Sequence, residues 1–575
     1  MKARHKAIAI EWNLVINSLY KKNTDNQSKN VSEEIKEKDK RTELLFRIVG
    51  TKETLKTKIK VELWGTEFMS DEKKEPEMKI ENMKIGEFRY YVLTYDNILK
   101  MIAIYLRIQS NTPIILMGET GCGKTSLIKC LAKVAHVSLQ AIDVHGGFGR
   151  QDLRDIVKAC VNKWEEDGKK IAMEEEEERE KIEEENKKKS TKKTIMTEEE
   201  RKGFEKHIEE MKKKQNKRDR EQWIFLDEIN TSPDIGWLNE LVCNHTLDGV
   251  KIPEDIKVIA ACNPYRKRKL SAEEGELLTN DELSKYIYRV HPLCETMKEY
   301  VWSFGRLSEL DEQQYIVEMT NQVKNELPFG LHEDFEKWKN EISKKIATAQ
   351  KFLRIHLRDK AIVSLRDVSR CLKIFEWLMK QCFKLKNSND IPWISRSLNI
   401  AIGLCYYFRL NINQRQDLSK ELSSTDNTFT KLLEQEVDTL CKSFLIPGGV
   451  ALNQGLKENL FILFMSIITT TPIVLVGKPG TSKTLSFQIV RDNLSHNKTE
   501  FEERLKKPIH TIAFQCTRDS KPQGIKERWD QAMRHSENNQ VKPILLLDEI
   551  GLAEHSKHSP LKILHQLLED PKISF

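Results

Sequence analysis

Two segments of the 575-residue chain repeat one another, and no other feature of the sequence restricts the fold as strongly. Residues 112–132 read TPIILMGETGCGKTSLIKCLA, and residues 471–491 read TPIVLVGKPGTSKTLSFQIVR. A second pair follows: QWIFLDEIN begins at Gln222, and KPILLLDEIG begins at Lys542. Both members of this pair are aliphatic strands that end in Asp-Glu-Ile. A duplicated set of strands, Gly-rich loops and helices predicts tandem α/β modules, each with a parallel sheet flanked by helices.

The first Gly-rich loop, residues 118–125, reads GETGCGKT and fits the phosphate-loop pattern G-x4-G-K-[ST] between a predicted strand and a predicted helix. Its glycines allow successive backbone N–H groups and the helix N-terminus to point at phosphate oxygens. We therefore expect ATP binding, with Lys124 reaching the β and γ phosphates and Thr125 ligating Mg²⁺. The residues predicted to bind the nucleotide are Gly118, Glu119, Thr120, Gly121, Cys122, Gly123, Lys124 and Thr125.

Polar side chains at two strand ends are predicted to supply the catalytic groups. Asp227 ends a buried strand, so its carboxylate should emerge beside the phosphate loop and hold Mg²⁺ through water. Glu228 follows it and is predicted to activate the attacking water, a role worth roughly 10²–10⁴ in rate. Residues 257–261 form another strand, and Asn263 after it would lie between Asp227 and the phosphate loop, orienting the water or the γ-phosphate. A simple Asn-Pro turn is the alternative for Asn263.

The second copy retains the binding residues but departs from the pattern at one position. Residues 477–484 read GKPGTSKT, with Ser482 in place of the usual last glycine, which costs backbone freedom. Nucleotide binding is expected here, whereas hydrolysis stays open. The chain ends at Phe575, before any equivalent of Asn263, so we expect a truncated second module. Its predicted site residues are Gly477, Gly480, Thr481, Ser482, Lys483 and Thr484 for nucleotide, Thr484 and Asp548 for Mg²⁺, and Glu549 for catalysis.

Composition excludes several other classes of protein. The 95 Lys and Arg against 88 Asp and Glu leave a net charge of only +7, so nucleic acid is not an expected partner. The 11 cysteines are scattered, without a C-x2-C pair, which predicts reduced thiols, no zinc site and a cytoplasmic location. Residues 460–476 carry no charge but are interrupted by Thr-Pro, so we expect a buried helix, a turn and a buried strand rather than a transmembrane segment.

A charged insert lies inside the first module. Residues 165–222 hold 20 acidic and 18 basic side chains in 58 positions, with few apolar residues to bury. This composition predicts a solvated helix or a disordered loop, with a partner-binding arm as the less favoured alternative.

Five segments together resemble the AAA+ ATPases, and in particular the mysterin-like family of giant AAA+ E3 ubiquitin ligases. They are residues 118–125, residues 143–147 (DVHGG), residues 227–232 (DEINTS), residues 288–293 (YRVHPL) and residues 295–297 (ETM). The resemblance extends over roughly residues 90–575 and implies two adjacent nucleotide-competent modules. The zinc-bearing ligase parts of this family have no counterpart in the sequence, so ubiquitin transfer is an expectation about relatives or a longer parent protein.

The resemblance also implies roles for individual residues. Asn263 corresponds to the sensor 1 residue of AAA+ proteins. Arg366, in the segment that opens the helical run after the core, corresponds to sensor 2 and is expected to touch the γ-phosphate. A trans arginine finger is expected as well, with Arg289 and Arg266 as the two candidates. The implied partners are neighbouring AAA+ modules of the same or a longer chain and, by resemblance only, the ubiquitin machinery.

The predicted function is that of an AAA+ ATPase core segment that binds and hydrolyses Mg-ATP to drive conformational change. Two alternatives stay open: an ATP-binding scaffold with negligible turnover, and a midasin- or dynein-like remodelling ATPase with no connection to ubiquitin. The predicted organisation is an N-terminal connecting region (1–85), a large AAA+ subdomain (86–296) with the insert at 165–222, a helical lid and linker (297–444), and the nucleotide-binding half of a second module (445–575).

Overall fold

The computed structural model describes residues 31–65, 87–88, 91–144, 149–189, 220–267, 286–288, 290–305, 307–357, 362–384, 393–423, 428–495, 507–539, 541–554, 556, 558 and 560–569. Arg289, residues 145–147 of the DVHGG segment and residues 190–219 of the insert lie outside this part. The chain divides into two compact units, Met1–Glu119 with Gly123–Arg306 and Thr120–Cys122 with Leu307–Phe575.

The first unit is built on a five-stranded parallel sheet. Its strands are β1 (Ile114–Met117), β2 (Ser138–Asp143), β3 (Gln222–Asp227), β6 (Ile256–Cys262) and β7 (Val301–Ser303), with a separate hairpin of β4 (Thr246–Leu247) and β5 (Val250–Lys251). The strand order in the sheet is β2-β3-β6-β1-β7. The buried strands are short aliphatic runs; Ile115 of β1, for example, pairs with Ala260 on one side and with Val301 on the other. The predicted parallel α/β sheet is thereby confirmed for the first module.

Helices of the first unit precede and connect these strands. They are α1 (Val31–Val49), α2 (Glu53–Trp64), α3 (Tyr95–Gln109), α4 (Lys124–Ala135), α5 (Arg150–Lys189), α6 (Ile235–Asn239) and α7 (Glu295–Lys298). The first part of the charged insert continues α5 as a helix of 40 residues. At the far end of the insert, the Arg220 guanidinium stacks over the Trp164 ring at 4.0 Å, so the insert leaves and re-enters the module at one place.

An ion-pair cluster fastens the β4–β5 hairpin to the start of α5. Arg154 Nε donates to Asp248 Oδ2 at 2.5 Å, and Arg150 pairs with the other carboxylate oxygen. The Arg150 guanidinium also lies 4.2 Å from the centroid of the Trp237 ring. The hydrogen bonds from Arg154 and Arg150 lower the pKa of Asp248 to about 2, so this carboxylate stays charged at neutral pH.

The second unit combines a helical bundle with the start of the second module. Its helices are α8 (Glu309–Glu326), α9 (His332–His356), α10 (Leu365–Lys384), α11 (Trp393–Cys405), α12 (Ile412–Leu422), α13 (Thr428–Lys442), α14 (Gln454–Thr469), α15 (Lys483–Ser495), α16 (Pro522–Asn539), α17 (Ile550–Glu554) and α18 (Ile563–Glu569). One hydrophobic core runs from Ile316 in α8 to Ile509 at the start of the second module. Arg415 of α12 donates to both carboxylate oxygens of Glu458 in α14 at 3.1 Å, which ties the bundle to the second module.

The second module has a two-stranded parallel sheet of β8 (Ile509–Gln515) and β9 (Lys542–Asp548) in the described residues. The helix expected from residues 460–468 is present in α14, and none of the described helices is long and apolar enough to span a bilayer. The buried strand expected at residues 473–476 is wrong, because these residues pair with no described strand and Val474 is 61% exposed. In the first module, the matching strand β1 pairs with β6 on one side and with β7 on the other.

Candidate functional site

The first Gly-rich loop curls around its own lysine. Gly121 and Gly123 have φ angles of 74° and 89°, which L-residues rarely adopt, and α4 begins directly after them. Lys124 is only 6% exposed, and its Nζ donates to the carbonyl oxygens of Gly118 at 2.7 Å and Glu119 at 3.1 Å. The loop therefore presents the N-terminus of α4 and a buried ammonium group at one place, as an anion site requires.

The hydroxyl and the carboxylate predicted to hold Mg²⁺ lie against each other. Thr125 Oγ1 donates to Asp227 Oδ2 at 2.6 Å, although the residues are 102 positions apart. The other oxygen, Asp227 Oδ1, accepts from the backbone N–H of Glu228 at 2.9 Å. Glu228 itself has a φ of 55°, a left-handed conformation that is costly for a non-glycine residue and that turns the chain sharply at the strand end.

Asn263 lies directly after β6, the strand between β3 and β1, so the strand order places it between Asp227 and the phosphate loop. A reciprocal pair of bonds fixes its backbone: Asn230 Nδ2 donates to the Asn263 carbonyl at 2.8 Å, and the Asn263 N–H donates to Asn230 Oδ1 at 3.1 Å. Asn263 is 3% exposed, and its Oδ1 is buried without a hydrogen-bond partner among the described residues. A buried amide oxygen without a partner is costly unless a ligand or water completes it.

Glu119 of the phosphate loop contacts the segment that follows Asn263. Tyr288 Oη donates to Glu119 Oε2 at 2.5 Å, and Arg266 Nη1 lies 3.7 Å from Glu119 Oε1. Arg266, one of the two arginine-finger candidates, thus pairs with the loop of its own module. The other candidate, Arg289, lies outside the described residues.

The second Gly-rich loop reproduces part of this arrangement. Lys483 Nζ donates to the carbonyls of Gly477 at 2.7 Å and Lys478 at 2.9 Å, and Ser482 takes a φ of 58° where the first loop has Gly123. Glu549 has a φ of 51°, and its N–H donates to Asp548 Oδ1 at 3.0 Å, matching Glu228. However, no hydrogen bond joins Thr484 to Asp548, both of which the structure describes.

Arg366, the sensor 2 candidate, is the second residue of α10 and is exposed. Its backbone N–H lies 3.3 Å from Ser364 Oγ, and Asp367 Oδ2 accepts from the Ser364 N–H at 2.8 Å, so the start of this helix is capped by local hydrogen bonds. Its predicted contact with phosphate stays a prediction.

The donor set of the first module fits a nucleotide with Mg²⁺. Thr125 Oγ1 and Asp227 Oδ2 lie 2.6 Å from each other. In phosphate sites Mg²⁺ takes only a few protein oxygens of this kind, and water and phosphate complete its coordination. Among the described residues, no group of three or more His, Cys, Asp or Glu could form an all-protein metal cage.

Sequence reasoning missed two groups in this site. Asn230, which is fully buried, was part of a motif but received no role, and the contact of Glu119 with Arg266 and Tyr288 was not foreseen. The available signal for Asn230 was an amide side chain three residues after Asp227, at the acidic strand end. No sequence signal links Glu119 to Arg266 and Tyr288, which are 147 and 169 positions away.

A phosphate loop, an acidic strand end and an asparagine on adjacent strands of a parallel sheet define the AAA class, whose domains bind nucleotides. Residues 91–167 and 168–266 match a family described as the RNF213 AAA domain, and residues 449–574 match a second family with the same description. The chain is therefore an RNF213-like AAA segment, which confirms the expected resemblance to the family of giant AAA+ E3 ligases.

Full-length relatives agree with the domain matches. The chain is 32% identical over 530 residues to the E3 ubiquitin-protein ligase RNF213 of Mus musculus, 31% identical over 527 residues to RNF213 of Homo sapiens, and 30% identical over 522 residues to rnf213-beta of Danio rerio. Each match includes 84% of this chain but only 9% of the relative's length.

Proposed function

We propose that the first module binds and hydrolyses Mg-ATP, and that this cycle drives rearrangement between neighbouring AAA modules. The 2.6 Å bond between Thr125 and Asp227 is the observation that supports this proposal most directly, because it joins a phosphate-loop hydroxyl to an acidic strand end from separate parts of the sequence. The buried Asn263 oxygen, directly after the strand between β3 and β1, adds support.

Each residue then has a defined task. The backbone N–H groups of residues 118–125 and the Lys124 ammonium bind the β and γ phosphates. Glu228 accepts a proton from the attacking water, and Asn263 Oδ1 accepts a hydrogen bond from the same water and so orients it. Bound Mg²⁺, held by Thr125 Oγ1 and through water by Asp227, would neutralise charge on the β and γ phosphates.

We propose a nucleotide-holding role with negligible turnover for the second module of this chain. Lys483 and the turn at Glu549 support binding, whereas the missing bond between Thr484 and Asp548 and the exposed Ile473, Val474 and Val476 argue against an assembled catalytic site. Glu549, whose backbone turn matches that of Glu228, is the residue that we propose as the base for any turnover at this site.

The relatives are named as E3 ubiquitin-protein ligases, and we propose that this segment is the ATPase part of such a ligase, in the cytoplasm. The assignment of Arg366 to the γ-phosphate is proposed from resemblance alone. A remodelling ATPase unrelated to ubiquitin is the alternative, and it has less support because three of the matching relatives carry the ligase name.

The test is ATP turnover and nucleotide binding with Lys124→Ala and Glu228→Gln made separately. We expect Lys124→Ala to lose both binding and turnover, because the ammonium group contacts the phosphates. Glu228→Gln should keep binding and lose turnover at least 100-fold, in line with general-base catalysis. Unchanged turnover in Glu228→Gln would exclude it as the base, and unchanged binding in Lys124→Ala would exclude the loop as the site.

A further inference from the structure

The first phosphate loop contains a carboxylate that a site for a polyanion has no obvious use for. The Glu119 side chain is only 13% exposed, and its own backbone carbonyl accepts from Lys124 Nζ at 3.1 Å. A negative charge this close to the bound phosphates opposes them, and the interaction is strong where water is largely excluded. The loop therefore needs a way to neutralise Glu119.

Arg266 and Tyr288 provide that neutralisation within the same module. Tyr288 Oη donates to one oxygen of Glu119 at 2.5 Å, and the Arg266 guanidinium lies 3.7 Å from the other. Hydrogen bonds to a charged acceptor are among the stronger ones in proteins, and each of the two carboxylate oxygens has its own partner here.

The backbone holds these two partners side by side. The Ile287 N–H donates to the Arg266 carbonyl at 2.8 Å, and Lys267 forms an antiparallel bridge with Tyr286. Tyr265, next in the chain, stacks edge-on against Tyr286 with centroids 5.9 Å apart. Arg266 and Tyr288 therefore approach Glu119 from a paired segment that begins three residues after Asn263.

The second loop supports the same interpretation because it carries the opposite charge at the matching position. The position of Glu119 in GETGCGKT is occupied by Lys478 in GKPGTSKT, so the charge beside the phosphates is reversed. A loop that carries lysine here attracts phosphate without a neutralising arginine. The first loop, which carries glutamate, needs one.

We propose that Arg266 and Tyr288 are positioning residues that neutralise Glu119 in cis, so that the first phosphate loop accepts the triphosphate. This inference rests on the proposed function, and it gives Arg266, one of the two candidates for the trans arginine finger, a different role. Arg266 acts on the nucleotide only through Glu119 and touches no phosphate of a neighbouring module.

The test is a double-mutant cycle with Arg266→Gln, Glu119→Gln and the double variant, measured as the Kd for ATP and as kcat at saturating ATP. We expect Arg266→Gln to raise the Kd about tenfold, because an uncompensated carboxylate remains in the loop, and to change kcat by less than about threefold. The double variant should return to within about twofold of the wild-type Kd. Tyr288→Phe should raise the Kd for ATP about threefold, and adding Glu119→Gln to this variant should reverse the rise in Kd.

The control is Arg154→Gln, which removes an ion pair with Asp248 elsewhere in the same unit and should leave Kd and kcat unchanged. A double variant no better than Arg266→Gln would overturn the proposal, since Arg266 would then act independently of Glu119. A kcat loss of about 10³-fold in Arg266→Gln would also overturn it and point to an arginine finger. If Lys124→Ala abolishes ATP binding but Arg266→Gln is neutral, only this inference fails; if the wild type binds no ATP, the proposed function fails with it.

Discussion

In the first module, the strand that leads into the phosphate loop is enclosed by β6 and β7, whereas in the second module the matching residues pair with no described strand. Ile115 is 0% exposed, and its counterpart Val474 is 61% exposed. The difference extends to the residues proposed to hold Mg²⁺, because Thr125 donates to Asp227 whereas no hydrogen bond joins Thr484 to Asp548. Pairing of the strand before the loop thus accompanies the contact between these two residues.

The parts that depend on local sequence are nevertheless the same in both modules. Each lysine is bonded to two loop carbonyls, and each glutamate after the acidic strand end has a left-handed backbone, with φ of 55° for Glu228 and 51° for Glu549. The loop motifs therefore fold locally, whereas their mutual distance is set by the sheet.

The sharpest test of this difference compares matched variants of the two modules. Lys124→Ala and Glu228→Gln should each lower ATP turnover at least 100-fold, because they remove the assembled site. Lys483→Ala and Glu549→Gln should each change turnover by less than about twofold. The measurement is steady-state phosphate release. A loss of half or more of the turnover in Lys483→Ala would contradict the distinction between the two sites.

A smaller effect should come from Lys542 at the start of β9, a place where β3 carries the neutral Gln222. Burial lowers the pKa of Lys542 to about 8, and the nearby charge of Lys373 adds to this. The unfolded state therefore binds more protons between pH 8 and the ordinary lysine pKa of about 10.4, so the free energy of unfolding rises with pH across that window. Below pH 8, the burial of the charged Lys542 lowers the free energy of unfolding by its full amount.

Lys542→Met should raise the free energy of unfolding of the second unit by about 1–3 kcal/mol at pH 7, and this gain should fade as the pH rises towards 10. The measurement is hydrogen exchange of β8 and β9 at several pH values. Lys526→Met, at an exposed position in α16, is the control and should show no pH-dependent gain. A gain for Lys542→Met that does not depend on pH would mean that packing, and not desolvation, is the cause.

The sequence predicted those parts of the fold that repeat or follow directly from one motif. The parallel sheet, the helix in α14 and the position of Asn263 on the strand beside Asp227 all follow from aliphatic runs that end in polar residues. The exposure of Ile473, Val474 and Val476 was not expected, because an aliphatic run has the same pattern whether or not a neighbouring strand pairs with it. In the first module that pairing comes from β6 and β7, which are distant from β1 in the sequence.

The candidate site shows the same division. Lys124, Thr125, Asp227 and Glu228 were predicted because their spacing belongs to a motif. The reciprocal hydrogen bonds of Asn230 with Asn263 join residues 33 positions apart, and the ion pair of Arg266 with Glu119 joins residues 147 positions apart. The motifs do not encode the topology that brings these residues together. Arg266, one of the two candidates for the trans finger, lies beside Glu119 of its own loop, a contact that no motif predicts.

The smallest expected effect concerns the position at which the first loop has Gly123 and the second has Ser482. Ser482 has a φ of 58°, inside the narrow left-handed region open to L-residues, whereas Gly123 has a φ of 89°, outside it. A Cβ at Gly123 would meet no atom within 4 Å, so only the backbone angle opposes a side chain there. Gly123→Ser should therefore lower the free energy of unfolding by about 1 kcal/mol and raise the Kd for ATP about fivefold.

Ser482→Gly should change the free energy of unfolding of the second unit by less than about 0.5 kcal/mol, because relief of the left-handed strain is offset by the entropy of glycine. Calorimetric titration with ATP and denaturant melts of both variants measure this pair, and an unchanged Kd in Gly123→Ser would show that serine in the second loop is no obstacle to phosphate binding.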